Sequence, residues 1–327
     1  MTITTKKKPV AYCMTVTPFK PDGSFAEDEF RQHLRRMVAA GCGVYLGSGG
    51  SGEGHTLTLD ELSRVYEIGV EECKGRVPVC ANPPEQRTAK HMIAIARAAA
   101  KAGVDLVQVY QVDAGHGMRP TARELDHYIR SVLAEVDHPT ALSCHFYSGY
   151  TPPASMYAAI ARDFPQVRAI NAIGSSLGYH VELLDAMPSN VEIVVGIKQI
   201  LEGLPLGAGG YMAAEPNIAP YLCQSIVEHY VRDDIHACAK AVADLWRIVN
   251  IVTRWAPANA RWLKMAMKVL EQPAGTGVLR PPYLLPDEKE LQEMKRQLDQ
   301  FGFARVENEA REFCERLKKQ ESSKETS

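Results

Sequence analysis

Eight short apolar runs rich in Val, Ile and Tyr, separated for most of their length by stretches of helical period, constrain this chain more than any other feature of its sequence. The runs cover 10–19, 43–48, 77–82, 105–111, 140–145, 167–172, 192–198 and 209–214. Between them, 27–40, 59–73, 88–102, 121–136, 155–163 and 178–187 carry apolar residues three and four apart with charges on the opposite face. Small-residue exits at 40–43, 102–104 and 207–210 supply the glycines that end a helix in the left-handed conformation before the next strand. Repeated βα units of this kind predict an α/β fold closed into a (β/α)8 TIM barrel. After Pro220 the alternation stops and helical patterns cover 221–231, 234–254, 258–271, 286–301 and 303–320. The expected division is therefore a barrel over 1–220, a C-terminal helical subdomain over 221–320 and a polar, frayed tail over 321–327.

Composition narrows the function classes. With 46% hydrophobic residues in 327, the chain can bury one barrel core and an appendage. Its 37 basic and 39 acidic residues are mixed along the sequence, so no basic stripe exists to follow a phosphate backbone, and nucleic acid is not an expected partner. The eight cysteines at 13, 42, 73, 80, 144, 223, 238 and 314 lack the paired spacing of a zinc site and the density of a disulfide scaffold, which predicts a reduced, cytoplasmic protein. No eighteen apolar residues occur together and the basic start leads into no apolar segment, so neither membrane contact nor targeting is expected. The phosphate-loop fingerprint is missing, and no cofactor is expected.

In a closed parallel barrel the chemistry lies on the loops after the strands' C-terminal ends. Those ends carry Thr15, Thr17, the loop Ser48-Gly49-Gly50-Ser51-Gly52-Glu53, Asn82, Tyr110 through His116, Ser143 through Tyr147, Asn171, Lys198 and Glu215. The glycine-rich loop leaves a strand and precedes a helix, so its amides can surround an anion, with Gly50, Ser51 and Glu53 as candidate contacts; a merely flexible connection is the competing reading. His145 and His116 are candidate acids and bases, or else a strand-end group and a turn residue. Lys198 reads either as a nucleophilic amine or as a lysine snorkelling to solvent beside Glu202. Tyr110, Tyr147 and Glu215 complete the candidate substrate contacts, with Tyr110 equally a core residue and Glu215 equally a turn anchor. His55, His116, His145, Asp113, Glu53 and Glu215 offer metal-type side chains without a ligand spacing, so no metal is expected.

The segment Thr17-Pro18-Phe19-Lys20-Pro21-Asp22-Gly23-Ser24 followed by a helix, and then Gly50-Ser51-Gly52-Glu53-Gly54-His55-Thr56-Leu57-Thr58, resembles the opening of the dihydrodipicolinate synthase and N-acetylneuraminate lyase family of class I aldolase-like barrels. Gly75-Arg76-Val77-Pro78-Val79, Leu206-Gly207-Ala208-Gly209-Gly210, Asn217-Ile218-Ala219-Pro220 and Val278-Leu279-Arg280-Pro281-Pro282 extend the likeness over nearly the whole chain. The resemblance implies a lysine at the end of strand six that forms an imine with pyruvate or a related 2-oxo acid. It also implies a proton-shuttling tyrosine on strand five, a carboxylate-holding glycine loop, an arginine after strand five, and a homotetramer or homodimer in which the loop after strand four crosses an interface.

Against that pattern, Asn171 stands where the lysine is expected and Ser143 where the tyrosine is expected, at the family's own interval, and Phe146-Tyr147-Ser148-Gly149-Tyr150 holds no arginine. An amide forms no imine. The expected function is thus a lyase (aldolase, retro-aldolase or hydro-lyase) for a 2-oxo acid or related small carboxylate, other than dihydrodipicolinate synthase itself. It would work through a relocated imine on Lys198 or through polar catalysis by Asn171, Ser143, His145 and His116. An inactive carboxylate-binding or regulatory barrel, and an isomerase or cyclase of a biosynthetic intermediate, remain open alternatives.

Overall fold

A computed structural model describes residues 8–145, 148–255, 259–275 and 278–325. Strands β1 (Val10–Met14), β2 (Gly43–Leu46), β3 (Val79–Ala81), β4 (Leu106–Val109), β5 (Thr140–His145), β6 (Val167–Ile173), β7 (Glu192–Gly196) and β8 (Gly210–Ala213) follow one another around a closed barrel. Every pairing is parallel, including the closing pair of β1 with β8. Helices α1 (Glu27–Ala40), α2 (Leu59–Cys73), α3 (Ala89–Ala102), α4 (Ala122–Glu135), α5 (Ala154–Asp163), α6 (Leu177–Ala186) and the single turn α7 (Ile200–Gly203) alternate with the strands. Then come α8 (Pro220–Val231), α9 (Ile235–Val252), α10 (Asn259–Val269), α11 (Glu288–Phe301) and α12 (Phe303–Glu325). The fold is a TIM barrel followed by C-terminal helices. Among the described residues no helix is long and apolar enough to cross a membrane.

Local chemistry sets the helix ends. Thr58 with Glu61, Thr121 with Glu124 and Asp287 with Glu290 form reciprocal capping boxes that satisfy the first free amides of α2, α4 and α11. Helix α8 starts after Ala219, which has no capping side chain; Glu307 of α12 supplies one from outside, accepting the amides of Tyr221 and Leu222 at 2.9 Å each. That borrowed cap docks α12 on α8.

Two apolar compartments result. One fills the layer between strands and outer helices. The other is a small cluster inside the barrel, made of Tyr45, Cys80, Ile173, Val194 and Met212 with Tyr12, Met14 and Leu106 packed against it.

Several strand ends differ from expectation, for reasons that are not local. Strand β1 stops at Met14, because the amide of Val16 turns to Asn217 Oδ1 at 3.0 Å. Strand β7 stops at Gly196, and 197–199 wind into a 3₁₀ turn, so Lys198 does not lie on a strand. Helix α12 runs on to Glu325, beyond its last packed residue, Leu317.

Asn217 ties the barrel's closing seam. Besides the Val16 amide, its Oδ1 accepts His33 Nε2 at 2.9 Å, and its Nδ2 donates to the carbonyls of Met14 (2.8 Å) and Ala214 (2.6 Å). Burial, then the neighbouring Arg36, pulls His33 down to about 3, so the imidazole is neutral, donating from Nε2 and accepting Arg36 at Nδ1. Asn217→Ala strands several buried partners at once, each worth about 1–3 kcal/mol when left unsatisfied. Urea unfolding is expected to show a loss of about 3 kcal/mol or more, whereas a loss below about 1 kcal/mol would mean the seam is held elsewhere.

Candidate active site

Strand alternation decides which side chains enter the barrel. On β5, Leu142 and Cys144 pack outward, so Ser143 and His145 face inward; on β6, Ile170 and Ala172 pack outward, and Asn171 faces inward. The register of β5 on β6 sets Ser143 beside Asn171. Asn171 Nδ2 donates to the Tyr45 hydroxyl of β2 at 3.1 Å and to Gln108 Oε1 of β4 at 2.5 Å, a layer drawn from alternate strands. Both Ser143 and Asn171 are fully buried, yet Ser143 Oγ and Asn171 Oδ1 have no hydrogen-bond partner among the described residues. The same holds for Ser51 Oγ and Thr17 Oγ1, which follow β2 and β1 at the same end of the barrel.

Above this layer lies a cavity of about 250 Å³ lined by His145, Lys198 and Glu215, with Trp246 of α9 and Trp262 of α10 closing it from the helical side. A neighbouring cavity of about 230 Å³ is lined by Gly50, Glu53, His55 and Tyr283, and Asn259 belongs to both. Burial pushes the Glu215 carboxyl up to about 7, only partly opposed by backbone amides, and pulls the His145 imidazole down to about 4. Lys198 is exposed at the rim of the cavity rather than enclosed by it, a correction to its expected place at a strand end. Tyr110 is buried, with its ring edge-on to His145 at 6.0 Å. His116 is exposed in the turn Gly115-His116-Gly117 and lines neither cavity. Tyr147 lies outside the described residues.

The glycine loop folds back on itself. The Gly54 amide donates to the Ser48 carbonyl and the Gly52 amide to Ser48 Oγ; a Cβ on Gly54 would stand 2.1 Å from the Gly47 carbonyl oxygen. Glu53 sits between those glycines at φ +51°, a left-handed conformation that glutamate seldom adopts. Its carboxylate is engaged by the fully buried Lys264 of α10 and by the Arg280 amide, so Glu53 anchors the loop. Burial pulls the Lys264 amine down, and Glu53 opposes that pull. Lys264 Nζ and the Arg280 guanidinium each lie 4.3 Å from the Phe19 ring centroid.

Three contributors lay outside the sequence reading of the site. Lys264 was signalled by a charge inside the otherwise apolar run Trp262-Leu263-Lys264-Met265-Ala266-Met267. Glu85, after β3, brings its carboxylate to 2.8 Å from where a Gly49 Cβ would be, and burial raises its pKa. Asn259 carries no local signal. Among the described residues no three His, Cys, Asp or Glu side chains converge as a metal site would require.

An eight-stranded parallel barrel in which Thr17, Ser51, Ser143 and Asn171 bring polar atoms unpaired among the described residues to the strands' C-terminal ends has the architecture of a TIM-barrel enzyme. The chain belongs to the dihydrodipicolinate synthetase family, whose profile matches residues 10–301, a family of lyases. It is 25% identical over 287 residues to the 4-hydroxy-tetrahydrodipicolinate synthase of Chlorobium chlorochromatii, covering 87% of this chain and 93% of that one. With the corresponding enzyme of Chlorobium phaeobacteroides it shares 26% identity over 214 residues, covering 65% and 71%. The dihydrodipicolinate synthase of Cyanidioschyzon merolae with lysine bound superposes with a TM-score of 0.81 at 17% identity, covering 91% of this chain and 99% of that one. The Bacillus clausii enzyme gives 0.78 at 19%, covering 90% and 98%. These likenesses in structure establish the fold.

Lys264→Met leaves the Glu53 carboxylate buried without its cation and is expected to cost about 3–5 kcal/mol in chemical unfolding. The Lys264→Met/Glu53→Gln pair should recover part of that loss, because no uncompensated charge is left. Strictly additive losses would refute the coupling.

Proposed function

We propose that this protein is a lyase that breaks or forms a bond beside a hydroxyl group of a small 2-oxo acid or related carboxylate, by acid–base chemistry and without an imine. The observation that carries the reading is the pair Ser143 Oγ and Asn171 Oδ1: two adjacent, buried, unpaired polar atoms on strands that contribute no lysine to the barrel. A hydroxyl can donate to a substrate carbonyl, and an amide oxygen accepts from a substrate hydroxyl. Together they suit a hydroxylated oxo acid. The amides of Gly50 and Ser51, with the Ser51 hydroxyl, would hold its carboxylate.

His145 and Glu215 line one cavity and supply the proton transfers. Near pH 6 the imidazole, pulled down to about 4, is a free base, and the carboxyl, pushed up to about 7, still holds its proton. In a dehydration, His145 takes the proton on the carbon next to the carbonyl and the carbon–oxygen bond breaks. Glu215 then protonates the departing hydroxide, and a carbon–carbon double bond forms. In a retro-aldol cleavage, His145 takes the hydroxyl proton and Glu215 protonates the enolate that leaves. Tyr110 and His116 take no part in these transfers; Lys198 at the rim attracts the anionic substrate. The reading excludes 4-hydroxy-tetrahydrodipicolinate synthase activity, and the family's habit supports assembly as a homodimer or homotetramer.

Turnover of a panel of hydroxylated 2-oxo acids should follow a bell-shaped kcat/KM profile with limbs near pH 4 and 7. Glu215→Gln should remove the upper limb and His145→Gln the lower, each with a roughly 100-fold or larger loss of rate. Borohydride in the presence of pyruvate should leave the intact mass unchanged. A trapped adduct that disappears in Lys198→Ala would replace this reading with an imine on Lys198, and saturable binding without turnover of any panel member would leave only a carboxylate-binding barrel.

A further inference from the structure

A cavity of about 690 Å³, larger than either cavity at the mouth, opens at the opposite, N-terminal end of the barrel. Its wall is built from residues before the strands or in their first halves, among them Arg76, Asp105, Arg168, Ala169 and Glu192, with Tyr12 from the middle of β1. In most barrels of this type, layers of bulky side chains fill the interior. Here Cys80 and Ala169 are small, and the space runs inward as far as Tyr45.

The wall carries two arginines and two carboxylates, and they differ in how they are engaged. Asp105 accepts the Val79 amide at 2.9 Å and lies 3.8 Å from Lys74 Nζ, and Glu192 is likewise engaged. Arg76 and Arg168 are different: among the described residues neither guanidinium donates a hydrogen bond or joins an ion pair. They come from the turn before β3 and from β6, three strands apart around the barrel, and so flank the opening from different sides. Two uncommitted planar forks lining one cavity suit an anion with several oxygens.

The inner end of the cavity touches the candidate active site. The Tyr12 ring stands edge-on to Tyr45 at 5.1 Å, and the Tyr45 hydroxyl accepts the Asn171 amide. One side chain therefore separates the two compartments. We propose that the N-terminal cavity binds a small multivalent anion, a di- or tricarboxylate or a phosphate, between Arg76 and Arg168, and that binding is transmitted to Asn171 through Tyr45. The site is independent of the reaction proposed above; only its transmission rests on that reading.

Calorimetric titration of the full chain with citrate and, separately, inorganic phosphate tests the site and shows which oxyanion it prefers. Saturable binding is expected, weakened at least roughly tenfold in Arg76→Gln/Arg168→Gln, as loss of charged hydrogen bonds implies, and unchanged in Ser51→Ala at the mouth. Both arginines are exposed, so the double variant is expected to fold; Ala169→Leu, which fills the cavity, should weaken binding as well. No saturation with either anion, equal affinity in the double variant, or a loss in Ser51→Ala instead overturns the site. For transmission, citrate should change kcat in the parent protein, and Tyr45→Phe should keep the binding while abolishing that change. Anion binding with unaltered turnover overturns the transmission and leaves the site.

Discussion

The arrangement at the barrel mouth depends on one buried ion pair. Lys264 is removed from water on α10 and meets Glu53, which lies in the loop after β2 in a left-handed conformation. Neither half is favourable alone, since an isolated buried charge costs several kcal/mol and a strained glutamate about 1–3 kcal/mol. The Val278 carbonyl accepts Lys264 at 3.0 Å, and Phe19 lies against both Lys264 and Arg280. Segments after β1 and β2, helix α10 and the chain beyond it thus meet around one charge. A pair of this kind adds little net stability; what it specifies is register, here the position of the glycine loop relative to the helical subdomain. The C-terminal helices consequently line the site: α10, which bears Lys264, also carries Trp262 and Asn259 over the mouth, and α9 adds Trp246.

Beneath that loop the barrel departs from an apolar filling. Tyr45, Gln108 and Asn171 form a hydrogen-bonded layer, while the Asn171 carbonyl and the Ser143 hydroxyl stay unpaired among the described residues. A half-satisfied polar network is worse for stability than an apolar one, so its presence at the C-terminal strand ends points to function. An amide where the family resemblance implies a lysine leaves no amine there for an imine, and on the function proposed above proton transfer takes over the task. Burial then acts on both candidate proton carriers in the same sense, favouring the uncharged form of each. Favouring the neutral form yields a base from histidine and an acid from glutamate.

How much of this was legible follows from the range of the forces involved. Helices α1 and α2 and strand β5 match the sequence pattern residue for residue, because periodicity, capping residues and terminal glycines are local signals. The apolar pattern runs past the end of β1 because the residue that takes the Val16 amide, Asn217, lies 201 positions away. Lys198 was placed on β7 because nothing in Val194-Val195-Gly196-Ile197-Lys198 announces the turn after Gly196. Helix α7 is one turn long and too short to show a period. The replacements at Ser143 and Asn171 are legible through the family's interval between the two positions, whereas their side-by-side register comes only from the closed barrel. Glu85 and Asn259 could not, because only the closed barrel brings their loops to the mouth.

A mouth that receives a carboxylate must not itself be anionic, and among the described residues this one carries the acidic side chains of Glu53, Glu215 and Glu85. Glu53 is neutralised by Lys264, Glu215 holds its proton up to about pH 7, and burial moves Glu85 in the same direction. The charges of Glu53 and Glu215 are thus offset by their surroundings, one by a buried cation and the other by burial. That leaves Lys198 as a cation at the rim and the amides of the glycine loop as partial positive charge below it, which together favour entry of an anion. Above pH 7 the balance reverses as Glu215 ionises inside the cavity. The same titration that withdraws the acid also repels the substrate, so affinity and rate should fall together on the alkaline side. A site in which Glu215 merely held its turn would lose affinity but keep its rate at saturating substrate.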